Sequence, residues 1–275
     1  WQRLTDNFPP LPSLPWLPEM PLAVPHVQDA VSPSLAVVWE ARPARLFWEA
    51  HASRSTRPPT WVELFGHRGG IDGNRALRPE VSTGWDAGLR WRRAGGGLWA
   101  RVAFFQTEIE RTILFVQTSQ RTSKPINFGR TRTLGLEWEG GGRLPAGGRW
   151  TANLTWQRAR DRGDDPAYRD KELPFLPPLE VALQVTQPCG PLEIGASVVH
   201  EAANYRDRYN TAVERAPART VLGFSLRRAW AASPWLGGAD AVVTAEVVNL
   251  ADNAVYDVEG YPLPGRSVRL SLALR

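Results

Sequence analysis

Apolar and polar residues alternate along several segments of the chain. In residues 267–274, valine and leucine are interleaved with serine, arginine and alanine. The same alternation recurs in residues 150–157, 179–186 and 85–92. Because successive side chains of a β-strand point to opposite faces, each segment predicts a strand with one apolar face and one polar face.

The predicted strands are long, and tryptophan recurs near their ends. The strands that contain these runs are expected to span about 10 to 13 residues, whereas strands of soluble proteins commonly have about five or six. A strand that crosses a bilayer at a tilt needs about 9 to 11 residues, so these lengths favour a membrane-spanning sheet. Tryptophan prefers the membrane–water interface, and it lies at or near run ends at Trp39, Trp91, Trp138, Trp150 and Trp230.

The connections between the runs alternate between short and long. The short ones centre on Arg42-Pro43, Gly95-Gly96, Pro145-Ala146, Cys189-Gly190 and Leu236-Gly237. The long ones cover residues 5–30, 55–80, 117–126, 161–175, 201–216 and 251–264. Outer-membrane barrels have tight periplasmic turns and long extracellular loops, whereas a β-sandwich has no reason to keep this rhythm.

The fold that these patterns predict is all-β. We expect a transmembrane antiparallel β-barrel, an up-and-down meander with about 12 strands of which the first is partial. In such a barrel the long loops lie outside the cell. The last strand then runs toward the periplasm and places the C-terminus there.

Composition excludes several other classes of protein. The 275 residues have a mean hydropathy of -0.33, and no apolar run approaches the roughly 18 to 20 residues of a membrane-spanning helix. The net charge is +5, but the basic residues are scattered along the chain, so we expect no nucleic-acid partner. The single cysteine, Cys189, cannot form an internal disulfide or a metal site of several thiolates.

The sequence contains no catalytic constellation. A Gly-Xaa-Ser-Xaa-Gly elbow, a Walker loop and a His-Glu-Xaa-Xaa-His motif are all missing. The histidines are too dispersed for a metal centre: His26, His51, His67 and His200. The acidic segment 161–171 lacks the ligand order of an EF-hand and is interpreted as a charged extracellular loop. We therefore predict that the chain is not an enzyme and has no cofactor or metal site.

Four blocks, in order along the chain, carry a resemblance to a known family. The ending, residues 248–256 (VNLADNAVY) and 259–266 (EGYPLPGR), resembles the "NLxDxxxY" and "GYPxPGR" ending of TonB-dependent receptors. Residues 53–66 are similar to that family's "SxRPPTxxELFG" block, and residues 73–80 to its "GNxxLxPE" block. Residues 127–137 resemble its "NxGxxxxxGxE" strand.

The resemblance implies an architecture, a function and a set of partners. Family members have about 22 strands around an N-terminal plug domain, with a TonB box that contacts the energising partner. Residues 1–275 would then be the N-terminally truncated, C-terminal half of the barrel, without plug or TonB box. The implied function is TonB-dependent uptake of a scarce nutrient, such as an iron siderophore, heme or cobalamin, across the outer membrane. The implied partners are outer-membrane lipid and lipopolysaccharide, the TonB complex through the missing N-terminal region, and a small-molecule or metal-chelate ligand.

Import of this kind needs no covalent chemistry, so the candidate residues are ones that bind. The 201–216 loop offers aromatic surfaces and cations suited to an anionic or metal-chelate ligand. The ligand-binding candidates are Tyr205, Arg206, Arg208, Tyr209 and Trp61. For Trp61, packing of its loop against the barrel rim is the alternative role. The lumen-facing candidates for contact with a plug are Glu49, His51, Asp86, Arg90, Arg92 and Glu246.

Two other functions are open at this point. A barrel of about 12 strands has an even number that could close, which would suit a passive porin or a surface adhesin without a plug. A secreted all-β enzyme acting on carbohydrate would need paired carboxylates in a cleft. The apolar rows on nearly every strand argue against that enzyme, because a soluble protein exposing them would aggregate.

Overall fold

The computed structural model of the chain consists almost entirely of β-strands. It describes residues 2–5, 27–66, 70–118, 122–231, 240–254, 256–258 and 261–274. The strands are β1 Gln2–Thr5, β2 Val27–Ala30, β3 Ser34–Arg42, β4 Leu46–Arg57, β5 Glu80–Arg92, β6 Leu98–Gln117, β7 Ser123–Arg143, β8 Arg149–Asp161, β9 Leu179–Cys189, β10 Leu192–Glu201, β11 Asn204–Tyr205, β12 Arg215–Ala216, β13 Arg219–Trp230, β14 Ala241–Val248, β15 Tyr256–Val258, β16 Tyr261–Pro262 and β17 Ser267–Leu274. One short helix, α1, covers Trp61–Phe65, and a 3-10 turn covers Pro145–Gly147. No helix in these ranges is long and apolar enough to cross a membrane.

In the described part of the chain, eleven strands form one antiparallel sheet whose spatial order follows the chain. The order is β3-β4-β5-β6-β7-β8-β9-β10-β13-β14-β17. The pairs β11–β12 and β15–β16 form small separate sheets inside long connections, and a third pair, β1–β2, precedes β3. The predicted up-and-down meander is confirmed, whereas β1, at the start of the chain, pairs with β2 outside this sheet.

The chain divides into two compact units. The first comprises Trp1–Leu35, Ala52–Gly84 and Glu108–Arg130, and the second comprises Ala36–His51, Trp85–Thr107 and Thr131–Arg275. The first unit contains α1. The second contains all of the strands from β8 to β17.

The strand register places apolar side chains on one face of the sheet from β7 to β17. Leu154 of β8 lies opposite Trp138 of β7 and Val181 of β9. Farther along, Val198 of β10 lies opposite Leu222 of β13. The same rows continue to the last strand, so this apolar face is continuous across seven strands.

The opposite face of these strands is polar. Thr151 of β8 lies opposite Gln184 of β9, which in turn lies opposite Ser197 of β10. At the end of the sheet, Glu246 of β14 lies opposite Arg269 of β17. The alternation in the sequence therefore separates an apolar face from a polar face, as predicted.

Short and long connections alternate along most of the sheet, as predicted, but the connection after β6, residues 118–122, is as short as the turns. The short ones cover residues 43–45, 93–97, 144–148 and 190–191, and the long ones cover residues 58–79, 162–178, 202–218 and 249–266. In the turn after β5, Gly95, Gly96 and Gly97 all have positive φ, which other residues adopt only at a cost. The predicted turn at Leu236-Gly237 and most of the predicted 5–30 loop lie outside the described residues.

Two strands are longer than the sequence pattern predicts. β6 has 20 residues and β7 has 21, so the predicted 117–126 loop is reduced to residues 118–122. Pro125 suggests a loop because it has no backbone N–H to donate to a neighbouring strand. In the structure it is fully buried within β7, and its carbonyl accepts a hydrogen bond from Asn74 Nδ2 at 2.9 Å. A side-chain amide from another segment thus supports a strand that alternation does not reveal.

A glycine in β7 lets an aromatic ring pack directly against the backbone. A Cβ atom added at Gly135 would lie 2.6 Å from the Phe105 ring and 2.5 Å from the carbonyl oxygen of Trp156. Since the carbonyl belongs to a neighbouring strand, rotating a side chain cannot relieve that contact. The β7–β8 pairing therefore requires glycine at this position.

We predict that Gly135→Val destabilises the folded sheet by about 2 kcal/mol, because overpacking a close contact forces neighbouring atoms apart. Ala87→Val, at an exposed position of β5, is the control and should change stability by less than about 0.5 kcal/mol. Urea unfolding in detergent micelles measures both variants. Equal unfolding midpoints would contradict this packing.

Candidate functional site

Four of the predicted lumen residues lie together on the neighbouring strands β4 and β5. Glu49 makes ion pairs with Arg90 Nε at 2.8 Å and with Arg101 Nε, on β6, at 3.3 Å. His51 Nδ1 lies 3.2 Å from Asp86 Oδ2. Because the single Glu49 carboxylate is shared by two guanidinium groups, this pair of contacts leaves an excess of positive charge on the polar face.

Of the other two predicted lumen residues, Glu246 pairs elsewhere in the sheet, whereas Arg92 lines the same cavity as Arg90 and Arg101. Glu246 Oε2 lies 3.3 Å from Arg269 Nη1. Arg92 is exposed at the end of β5, where it lines a cavity of about 360 Å³ together with Trp99 and Arg101. Arg101 was missed by the sequence reasoning because Trp99 and other apolar residues around it blur the alternation in β6.

The two long loops that follow β8 and β10 are docked against each other. Asp161 at the end of β8 is 4% exposed, and its Oδ2 lies 3.1 Å from Arg208 Nη2. The Arg208 guanidinium also stacks 4.0 Å above the Tyr168 ring. The hydroxyl groups of Tyr168 and Tyr209 are 2.7 Å apart, and this hydrogen bond raises the pKa of Tyr168 above its usual value.

Further contacts complete the docking of these loops. Asn210 Oδ1 accepts a hydrogen bond from the Glu172 backbone N–H at 2.7 Å, and Asn210 Nδ2 donates to the Glu172 carbonyl at 3.0 Å. The Phe175 N–H donates to the Tyr205 carbonyl at 2.8 Å. Of the predicted ligand-binding residues, Arg208 and Tyr209 therefore hold the loop pair together. Their partners Asp161 and Tyr168 lie on the other loop, which sequence spacing could not reveal.

A cavity of about 340 Å³ lies at the base of the docked loops. Arg206 and Phe175 contribute to its wall, and Phe175 is 58% exposed. On its strand side, Arg219 makes two hydrogen bonds of 2.9 Å to the Glu201 carboxylate. The cavity thus combines an aromatic surface with both signs of charge, which suits a polar ligand that also has flat apolar parts.

Trp61, the remaining ligand-binding candidate, lies in α1 within the first unit. The helix begins with a capping box: the Thr60 hydroxyl accepts from the Glu63 N–H, and the Glu63 carboxylate accepts from the Thr60 N–H. Burial opposes ionisation of Glu63, but the Thr60 N–H and the Arg57 guanidinium hold its pKa below the usual value. Trp61 itself is 53% exposed, and its ring lies 4.6 Å from the Phe65 ring, measured between centroids.

Three aspartates of the 161–171 segment, Asp161, Asp165 and Asp170, have structural partners. Asp165 Oδ1 accepts from the Ala167 N–H at 2.9 Å, and Asp170 pairs with Arg162. Within the described ranges, no group of three or more acidic, histidine or cysteine side chains could hold a metal ion. These carboxylates stabilise the conformation of the loop through contacts within it.

We predict that Arg208→Met loosens the loop pair, because it leaves the nearly buried Asp161 carboxylate without its cation. The cost is about 3 kcal/mol, so proteinase K should cleave within residues 202–218 at least about tenfold faster. Arg162→Met removes an exposed ion pair and is the matched control, with little change expected. The double variant Arg208→Met/Asp161→Asn should recover part of the protection, and unchanged cleavage of Arg208→Met would refute the docking role.

Comparison with known proteins shows which family the chain belongs to. A family described as "TonB dependent receptor-like, beta-barrel" matches residues 15–250. The copper transporter OprC shares the fold with a TM-score of 0.69 at 18% identity, over 88% of this chain and 39% of its own. The ferric-catecholate import receptor Fiu from Escherichia coli K12 has a TM-score of 0.66 at 19% identity, over 92% of this chain and 37% of its own.

A third structure gives the same result. The ferric preacinetobactin receptor BauA from Acinetobacter baumannii has a TM-score of 0.70 at 13% identity, over 92% of this chain and 37% of its own. This chain therefore spans about two fifths of the length of these receptors. Since the family match covers most of the chain, and the sheet shares the receptors' fold, the protein belongs to the β-barrel family of the outer-membrane TonB-dependent receptors.

Proposed function

We propose that this chain forms the C-terminal part of the barrel wall of a receptor that imports a scarce nutrient across the outer membrane with energy from TonB. The observation that carries the proposal is the two-faced sheet, whose apolar and polar rows stay in register from β7 to β17. The similar structures are named for copper, ferric-catecholate and ferric preacinetobactin transport. The proposed cargo is accordingly a small metal chelate, with an iron siderophore first and heme or cobalamin as further members of the class.

The proposed orientation has the long loops outside the cell and the end of β17 in the periplasm. Its support is that the four longest connections, residues 58–79, 162–178, 202–218 and 249–266, all follow strands that run in the same direction, since outer-membrane barrels keep tight turns on the periplasmic side. β17 follows the long connection 249–266 and so runs toward the end of the sheet that carries the short turns. The C-terminal end of β17 is then periplasmic.

The edges of the sheet support the idea of a partial wall. β3 enters the short turn 43–45, so β3 and β17 both run from the long-loop end to the short-turn end. Two strands that run in the same direction cannot pair in an antiparallel ladder. In an antiparallel barrel, further strands in odd number must therefore lie between β3 and β17.

The proposed ligand contact is the cavity below the docked loops. Arg206 and Phe175 line it, and Tyr205 lies in the adjoining hairpin of β11 and β12. In this proposal Arg206 attracts an anionic group of the chelate, while Arg208 and Tyr209 act as positioning residues that keep the loop in place. Trp61 offers an exposed aromatic surface on a different loop.

The proposed role of the lumen charges is to hold a plug domain. Glu49, Arg90 and Arg101 leave one positive charge uncompensated, and a carboxylate of a plug would pair with it. His51 with Asp86, Glu246 with Arg269, and exposed Arg92 add further polar groups to this wall. Such pairs can exchange partners when the plug moves.

Uptake measurements on the full-length gene product test the proposal. The probes are radiolabelled ferric catecholate, ferric citrate, heme and cyanocobalamin, each supplied to cells with and without TonB. We expect one probe to accumulate only when TonB is present. Uptake of a probe that continues unchanged without TonB would instead indicate a passive porin.

For the probe that is taken up, we predict that Arg206→Gln weakens binding to whole cells by roughly tenfold, because a charge-assisted contact is lost. The control is Arg215→Gln, on the same hairpin but not in the cavity wall. Equal loss in both variants would place the ligand elsewhere.

A further inference from the structure

Two tyrosine hydroxyl groups meet where the docked loops touch. Tyr168 lies in the connection after β8, and Tyr209 lies in the connection after β10. Their hydroxyl oxygens are 2.7 Å apart, and their ring centroids are 4.9 Å apart. Tyr209 is 54% exposed, so the pair of oxygens can be reached from the solvent.

The spacing of these oxygens is that of neighbouring ligands around a small octahedral metal ion. With metal–oxygen bonds of about 2.0 Å, adjacent corners of an octahedron are about 2.8 Å apart. An ion of this size can therefore bind both tyrosine oxygens while the loops keep their docked arrangement.

The chemistry of the phenol oxygen selects the ion. A tyrosine hydroxyl ordinarily loses its proton at about pH 10, so a metal ion must attract electrons strongly to displace that proton at neutral pH. Calcium and magnesium ions instead select carboxylate and carbonyl oxygens. Ferric iron has a higher charge than either, and tyrosine is one of the residues that bind iron in proteins. The tyrosine pair therefore suits ferric iron.

The surroundings of Tyr168 favour its charged form once a metal ion is bound. The Arg208 guanidinium lies 4.0 Å above the Tyr168 ring, and a nearby cation stabilises a phenolate. The hydrogen bond with Tyr209 raises the pKa of Tyr168. A metal ion that takes the place of the shared proton removes this cause.

We propose that Tyr168 and Tyr209 form a capture site for a ferric chelate that has two adjacent open coordination positions. Each phenol oxygen releases its proton to the solvent and displaces one water molecule from the iron. Two O–H bonds and two iron–water bonds break, two iron–phenolate bonds form, and the iron remains ferric. The inference deepens the proposed function, on which it rests for the access of cargo to these loops, and limits the cargo to chelates that do not surround the iron completely.

A bound ferric ion also joins the two loops more firmly. In the structure they are held together by contacts such as the Asp161–Arg208 ion pair and the Tyr168–Tyr209 hydrogen bond. The ion replaces that hydrogen bond with two bonds to one metal centre. Binding should therefore protect both loops from proteolysis.

The test uses the full-length gene product purified in detergent, with ferric nitrilotriacetate as the probe. Nitrilotriacetate supplies four donor atoms and leaves two neighbouring positions of the iron for other ligands. The visible absorption band of an iron–phenolate bond is titrated to give a dissociation constant. Ferric desferrioxamine B, whose six donor atoms fill the octahedron, is the comparison chelate and should produce no such band.

The variants are Tyr168→Phe, Tyr209→Phe and the double variant, which keep both rings and remove only hydroxyl groups. Tyr256→Phe, in the long connection after β14, is the matched control. We expect each single variant to bind the probe at least about tenfold more weakly, because the second iron–oxygen bond forms within an assembled complex. The double variant should lose the band, and the control should keep both the band and the affinity.

Proteolysis provides a second readout. With the probe at about ten times its dissociation constant, proteinase K should cleave the unaltered protein within residues 202–218 about tenfold more slowly, because only the undocked loops are cleaved. The double variant should be cleaved at the same rate with and without the probe.

The absence of the absorption band in the unaltered protein would overturn the proposal, as would a band that persists in the double variant. An equal loss of affinity in Tyr256→Phe would also overturn it, since the ligands would then lie elsewhere. Binding at the tyrosine pair without TonB-dependent uptake of any probe would uphold this site and contradict the proposed import function. TonB-dependent uptake without the band would contradict this site alone.

Discussion

The structure depends on one constraint: a single β-sheet must present one face to lipid and the other face to water. Lipid offers no hydrogen bonds, so each backbone N–H and carbonyl must pair with a neighbouring strand. Apolar and polar side chains must then alternate along each strand, because successive side chains of a β-strand point to opposite faces. The continuous rows from β7 to β17, with Leu154 between Trp138 and Val181, are the direct expression of that constraint.

The same constraint determines where the polar groups of the protein lie. On the polar face, charges are held in shared ion pairs such as that of Glu49 with Arg90 and Arg101. Beyond the ends of the strands, the loops are in water and dock through polar contacts, with the Asp161–Arg208 pair among them. These polar contacts thus lie on the polar face of the sheet and in the loops, away from the apolar face.

The sequence was sufficient for the features that arise from local alternation. It predicted the faces of residues 150–157 and 179–186 and the up-and-down order of the strands in the sheet. It failed where distant segments supply the stabilising contact. Pro125 lies in a strand because Asn74 bonds its carbonyl, and Arg208 meets Asp161 across 47 residues of chain. Neither contact produces a periodic pattern of apolar and polar residues in the sequence.

A single-cysteine scan of residues 150–157 tests the central claim most directly. With the exposed Cys189 replaced by serine, each position is labelled in the intact outer membrane with a spin label, and its accessibility to oxygen and to a water-soluble nickel complex is measured. The account predicts a strict alternation, with high oxygen accessibility at positions 150, 152, 154 and 156 and higher nickel accessibility at the positions between them. Accessibility without a period of two, or protection of both sets from lipid, would contradict it.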